Sequence, residues 1–67
     1  GMLCPLPVIE LARRVGDVPV GGLLAVVTED VAARVDVPAW CRMRGHAYVA
    51  QETTHDGVPR HVVRRLA

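Results

Sequence analysis

The sequence has 67 residues, which allows one small domain near the lower size limit for a fold sustained by a hydrophobic core alone. Its 51% hydrophobic and 22% charged residues exclude a disordered chain, and a net charge of +1 gives no general case for nucleic-acid binding. Because no apolar run approaches the roughly 20 residues of a membrane-spanning helix, we expect no membrane contact and a single cytoplasmic domain, residues 1–67.

Near the start of the chain, Cys4 lies directly before a predicted helix. Pro5 fits the first helical turn, where its missing N–H costs nothing, so Cys4 stands at the N-terminal boundary of the helix. Free amide groups of that turn and the positive end of the helix dipole favour a thiolate over a thiol. Cys4 is therefore the candidate nucleophile. Pro5 and Pro7 are candidate supporting residues that fix the direction of the thiol.

The first helix is predicted from about Pro5 to Val15, followed by a turn and a strand. One helical face carries apolar residues at helical spacing, namely Val8, Leu11, Ala12 and Val15. Glycines and a proline end the helix, because neither residue type favours its continuation. The continuous apolar run from Leu23 to Thr28 then predicts a buried strand.

A second helix is predicted after that strand. Asp30 can cap a short helical turn over residues 31–33. The main helix is predicted to begin at Asp36 as N-cap, with Pro38 in its first turn and Gly45 as its C-terminal stop.

The chain ends in a predicted β-hairpin, with strands at Ala47–Thr53 and Arg60–Leu66. The Asp-Gly pair within His55–Gly57 is a strong signal for the turn between them. The order of elements predicts an α/β two-layer sandwich, with two helices packed on one face of a small mixed sheet.

The second cysteine is interpreted as a core residue. Cys41 occupies an apolar helical position beside Trp40, where packing is more common than chemistry. Two distant cysteines and three scattered histidines form neither a disulfide framework nor a zinc site, so we expect no metal. His46, at the helix end, is predicted to be a turn residue, and Glu10 lies on a different part of its helix from Cys4.

The run Gly-x-x-Cys-Pro-x-Pro over residues 1–7, followed by an amphipathic helix, resembles the TusA (SirA-like) family of small sulfur-carrier proteins. Further matches extend the resemblance over nearly the whole chain, at Thr28–Asp30, Asp36–Cys41 and Gly45-His46. The resemblance implies that Cys4 carries a persulfide sulfur and that no cofactor is needed, because sulfur is itself the cargo. It also implies a donor protein, such as a cysteine desulfurase or a rhodanese, and an acceptor relay protein. Transfer-RNA thiolation, cofactor biosynthesis or sulfur oxidation would be the destination.

The N-terminus departs from the family pattern. Family members carry a strand before the Gly-x-x-Cys-Pro segment, whereas only three residues precede Cys4, so the first strand is expected to be truncated or missing. An uncovered sheet edge recruits pairing from another chain. We therefore expect either self-association through that edge or a three-stranded core with a mobile N-terminus.

Two other classes of function fit the residues. A non-catalytic module could offer its arginines and sheet face to RNA or protein, although the strands carry no aromatic residue for base stacking except Tyr48. The arginine pairs that could flank an acidic partner are Arg13-Arg14 and Arg64-Arg65. The remaining alternative is a redox switch that joins Cys4 to Cys41 in a disulfide.

Overall fold

The computed structural model describes the chain from Leu6 to Ala67, with side chains from Val8 onward. This part of the chain contains two α-helices and three β-strands. In chain order they are α1 (Leu6–Arg14), β1 (Leu23–Val27), α2 (Ala33–Arg44), β2 (Ala47–Thr53) and β3 (Pro59–Arg64), with one 3₁₀ turn, Val15–Asp17, after α1. The predicted bounds of β2 are confirmed at both ends. The expectation of a truncated first strand falls on residues outside the described ones.

The three strands form one sheet in the order β1-β3-β2. The last strand therefore lies in the middle and runs antiparallel to both neighbours. Helices α1 and α2 contact each other and pack on this sheet through one shared core, which confirms the α/β two-layer sandwich. The predicted mixed character is wrong for the described strands, because the insertion of β3 leaves no parallel pair among them.

The core lies between the helices and the inner face of the sheet. Its buried apolar members are Leu11, Ala33, Val37, Trp40, Cys41 and Val63. Strand β1 was predicted to be buried throughout, and this is wrong. Only Leu24 and Val26 pack against the core, whereas Leu23 and Val27 are half-exposed on the outer face. The reason is the single layer of helices, which covers one face of the sheet and leaves alternate side chains open.

The start of α2 differs from the prediction. Asp36 is not the N-cap, because the helix begins three residues earlier, at Ala33, directly after the turn at residues 31–32. Pro38 consequently lies inside the helix, where it offers no N–H to the carbonyl one turn before it. At the other end the prediction is confirmed: Gly45 takes a left-handed conformation with φ of 78° and donates its N–H to the Cys41 carbonyl.

Candidate functional site

Both helices begin at the same edge of the sheet. Helix α1 packs on β1 and α2 on β2 and β3, and short connections join α1 to β1 and β1 to α2. Each helix must then run antiparallel to β1, so both helix starts lie beside the end of β1. There the Thr28 N–H donates to the Pro59 carbonyl across 3.1 Å. We call residues 28–32, Pro59 and the starts of α1 and α2 the helix-start edge. The positive ends of two helix dipoles favour an anion at this edge.

The predicted site residues lie at or just before the start of α1. Cys4 and Pro5 fall outside the described residues. Pro7 is the second residue of α1, where the structure describes its backbone but not its side chain. The assignment of Cys4 as the nucleophile therefore remains a prediction from the sequence.

Asp30 organises the loop of the helix-start edge. Its Oδ1 accepts the Ala32 N–H at 2.9 Å, and its own N–H donates to the Thr28 hydroxyl at 3.0 Å. The Asp30 carbonyl accepts the N–H of Ala33, the first residue of α2, at 3.0 Å. The second carboxylate oxygen, Oδ2, is buried and has no hydrogen-bond partner among the described residues. Asp30 thus fixes the turn from β1 into α2.

Cys41 is confirmed as a core residue. It is buried between α2 and the sheet with Trp40 and Val37. Burial raises the pKa of the Cys41 thiol, and the opposing effect of the Arg42 guanidinium is smaller. A buried thiol that resists ionisation makes a poor nucleophile.

A histidine that the sequence reasoning left unassigned is buried on the inner face of the sheet. His61 is fully buried on β3, and its Nδ1 lies 3.0 Å from the Tyr48 hydroxyl. Its Nε2 is buried without a partner among the described residues. Burial lowers the pKa of His61 from its usual value, and the positive charge of Arg34 lowers it further. The imidazole is therefore held neutral, which suits a core residue rather than a proton donor at a surface site.

Nearly the whole chain matches a known protein family. The family model described as Sulfurtransferase TusA matches residues 1–65, a span that includes both the segment before α1 and all the described elements. The chain belongs to this family. The Sulfur carrier protein TusA of Pseudomonas savastanoi pv. phaseolicola is 44% identical over 52 residues, which are 78% of this chain and 62% of that protein. The Sulfur carrier protein TusA of Pseudomonas aeruginosa (strain UCBPP-PA14) is 42% identical over 52 residues, 78% of this chain and 66% of that protein. The aligned part thus spans just under two thirds of the length of these curated relatives.

The arginine pairs proposed to flank a partner have structural roles in this TusA-family chain. Arg64 donates from Nη1 to the Gly21 carbonyl at 2.7 Å, and Arg65 donates from Nη1 to the Val18 carbonyl at 2.7 Å. Arg14 forms an ion pair with Glu10 at 2.6 Å one helical turn away. Arg64 and Arg65 hold the connection between α1 and β1, and Arg14 holds a turn of α1. Of the two pairs, only Arg13 has no such contact among the described residues.

The described residues also bear on a metal site, a membrane-spanning helix and a base-stacking surface. Within residues 6–67, no three His, Cys, Asp or Glu side chains come together in an arrangement that could hold a metal ion. In the same part of the chain, no helix is long and apolar enough to cross a membrane. Tyr48, the aromatic residue weighed for base stacking, is partly buried and packs against the core instead of standing on the open face of the sheet.

The sequence reasoning missed the structural role of His61, whereas the predicted capping role of Asp30 is confirmed by its bond to the Ala32 N–H. A signal for His61 was available, because it shares strand parity with Val63 while Arg60 and Arg64 occupy the other face of β3. That parity alone predicts an inward imidazole. The role of Asp30 could be anticipated as a cap, but not its position at the edge where both helices begin, which depends on the packing of α1.

Proposed function

We propose that this chain carries sulfur as a persulfide on Cys4. The observation that carries the proposal is the family match, which includes Cys4 within residues 1–65. The geometry adds support. Cys4 precedes Leu6, the first residue of α1, by two positions, and two Cα–Cα steps span at most about 8 Å. Covalent connectivity therefore keeps Cys4 near the helix-start edge.

The amide groups that face this edge are few. The first turn of a helix normally offers four free N–H groups, but Pro5 and Pro7 carry none. Leu6 and Val8 are then the donors of that turn on α1. Together with the positive ends of two helix dipoles, they stabilise the Cys4 thiolate and the persulfide anion that replaces it.

The proposed transfer consists of two successive thiolate attacks on a persulfide sulfur. The Cys4 thiolate attacks the outer sulfur of a donor persulfide, so that one S–S bond forms and the S–S bond of the donor breaks. The donor leaves as a thiolate, and Cys4 then carries the outer sulfur. An acceptor thiolate repeats the attack on that sulfur and releases the Cys4 thiolate. No external oxidant or reductant takes part, because each step exchanges one S–S bond for another.

The partners follow from this chemistry. A donor must present a persulfide, as a cysteine desulfurase or a rhodanese does, and an acceptor must present a thiol of a relay protein. Transfer-RNA thiolation, cofactor biosynthesis or sulfur oxidation would consume the sulfur. We place the exchange in the cytoplasm, where thiols remain reduced.

The two alternatives receive less support. Cys41 is buried in the core, so its thiol is closed to other groups unless the core opens. That burial disfavours a switch between Cys4 and Cys41. The inward position of Tyr48 disfavours a base-stacking surface for RNA.

Intact mass spectrometry tests the proposal directly. The protein is incubated with a cysteine desulfurase and cysteine, with the prediction that it gains the mass of one sulfur atom, which a reducing agent removes. Cys4→Ser should abolish the adduct, and Cys41→Ser should retain it. An adduct that persists in Cys4→Ser and disappears in Cys41→Ser would overturn the proposal. A new intramolecular disulfide in the wild type would instead support the switch.

A further inference from the structure

Helix α2 is apolar on two opposite faces. One face is buried in the core through Ala33, Val37, Trp40 and Cys41. On the opposite face, Val35 is 69% exposed and Met43 is 75% exposed. Ala39 lies between them at the same four-residue spacing, and Val31, in the turn before the helix, extends the row with 76% of its surface exposed. We call Val31, Val35, Ala39 and Met43 the α2 ridge.

The spacing of the ridge gives it a definite shape. Residues four apart form a continuous row on a helix surface, and this row runs for about 18 Å along α2. Such rows fit into the grooves of another helix. Ala39 makes a low point in the middle of the row, while the flexible Met43 side chain can adapt to irregular apolar surfaces. An apolar strip of this kind on a small domain marks an interaction site more often than scattered single residues do.

The charges beside the ridge are positive on one side, where helical spacing places Arg34 and Arg42. Asp36 lies on the other side, and Arg44 continues the line of Val37 and Trp40 at the exposed helix end. Helix α2 carries three exposed arginines, Arg34, Arg42 and Arg44, against the single carboxylate of Asp36. None of the three arginines forms a salt bridge with another described residue. Their guanidinium groups are thus available to carboxylates of another molecule, which they bind with charge-assisted hydrogen bonds.

We propose that the α2 ridge is a docking surface for a helix of a partner protein, with an apolar contact face and an acidic flank that meets Arg34 and Arg42. Four side chains cover much less than the roughly 800 Å² per partner of a stable interface, so the contact suits a transient complex. A second copy of this chain fits less well, because the like-charged arginines of two α2 helices would face each other. The inference does not depend on persulfide chemistry, because the ridge and its arginines lie outside the segment that contains Cys4.

A peptide titration followed by NMR tests the inference on the full chain. The probe is a synthetic helical peptide of about 18 residues, with leucine and alanine on one face and glutamate along one flank of that face. We expect saturable shifts of the backbone amide signals of α2 in the ¹⁵N-labelled protein. The same peptide with lysine in place of glutamate should bind at least about tenfold more weakly, since it meets the arginines with like charge.

Two matched variants distinguish binding at the α2 ridge from nonspecific hydrophobic binding. Val35→Ser removes an apolar side chain from the ridge, whereas Val20→Ser changes a valine of similar exposure, 64%, in the connection after α1. Val35→Ser should lower the affinity for the glutamate peptide about tenfold, and Val20→Ser should leave that affinity unchanged. Met43→Gln provides a second test of the ridge with little change in volume. Equal affinity of all variants, shifts centred on Arg60 and the sheet, or ridge signals that change on dilution without peptide would each overturn the inference.

Discussion

The hydroxyl of Tyr48 and Nδ1 of His61 lie 3.0 Å apart, and they form a polar pair beneath the helices in a core of aliphatic side chains. The two rings are tilted, with their centroids separated by 6.1 Å. Nε2 of the same imidazole has no partner among the described residues. Whichever tautomer is present, one ring nitrogen therefore remains unpaired in the core, and a second proton on the ring would bring a buried charge.

Stability should consequently depend on pH through His61. Burial and Arg34 lower its pKa in the folded protein, so the unfolded chain, with a pKa near 6.5, binds more protons in the acid range. The contribution of the neutral His61 to the free energy of unfolding is fully present above about pH 6.5 and is lost as pH falls through the pKa of His61 in the folded protein. Tyr48, whose hydroxyl contacts the ring, has a pKa that burial raises, so it stays neutral in this range. Urea unfolding at a series of pH values measures the effect.

His61→Phe should flatten this pH dependence, and His55→Gln provides the control. The His55 side chain is 93% exposed, so its replacement should leave the slope of stability against pH unchanged. A slope that survives in His61→Phe but disappears in His55→Gln would show that the buried ring is not the group that titrates.

Tyr48→Phe should destabilise the fold without affecting sulfur loading. The change removes the only hydrogen-bond partner that Nδ1 of His61 has among the described residues. An unsatisfied buried group costs about 1–3 kcal/mol, which denaturant titration can resolve. Because Tyr48 is at the opposite end of β2 from the helix-start edge, the extent of persulfide formation should match the wild type. A variant of wild-type stability that cannot be loaded would contradict both expectations.

The two thiols should react at very different rates. Cys41 is buried and its pKa is raised, so alkylation at mildly acidic pH should modify Cys4 first. Peptide mass mapping after a short exposure identifies the modified residue. Modification of Cys41 ahead of Cys4 in the folded protein would show that the nucleophile is wrongly assigned.

Cys41→Ser should lower stability and leave loading intact. The hydroxyl enters an apolar pocket, with an expected cost of about 1–3 kcal/mol. Thermal unfolding and the sulfur-loading assay, run on the same preparation, separate the two effects. Cys4→Ser is the matched control and should show the reverse pattern, with little change in stability and no loading.

We predict that the chain self-associates through the outer edge of β1. The Gly22 carbonyl accepts the Arg65 N–H, and the Thr28 N–H donates to the Pro59 carbonyl, so the alternating antiparallel pattern turns the N–H and carbonyl groups of Leu23, Ala25 and Val27 away from β3. These three residues are apolar, and no described strand pairs with their outward-facing backbone groups. Ala25→Pro removes an outward N–H and should shift sedimentation toward monomer, while Ala25→Val should not.

An extended version of the chain provides a second test of self-association. A version extended upstream by a strand-forming segment should also sediment as a monomer, because the added strand would cover the edge. If the unextended wild-type chain is monomeric at high concentration, the prediction of self-association is wrong.

The sequence was most informative where local chemistry determines the structure. The bounds of β2 were predicted because a glycine stop precedes it and an Asp-Gly turn follows it. The end of α2 was predicted for the same reason, since Gly45 can adopt the left-handed conformation that closes a helix. Cys41 was placed correctly in the core by its helical spacing with Val37 and Trp40.

The errors arose where tertiary packing prevails over local signals. Asp36 and Pro38 form a good helix start in isolation, yet Ala33 is fully buried, and its packing favours an earlier beginning. The burial of β1 was overestimated because a continuous apolar run does not reveal whether one face or both are covered. The site itself was inferred from the residues before α1, and the packing of both helices on the sheet identified the edge on which it depends.

The position of β3 in the middle of the sheet has a consequence for biosynthesis. Strands β1 and β2 each pair with β3 and not with each other, yet β3 is the last of the three to be translated. Among the described strands, β1 and β2 therefore have no pairing partner until β3 has left the ribosome. A nonsense mutation that removes β3 would leave β1 and β2 without the strand that joins them.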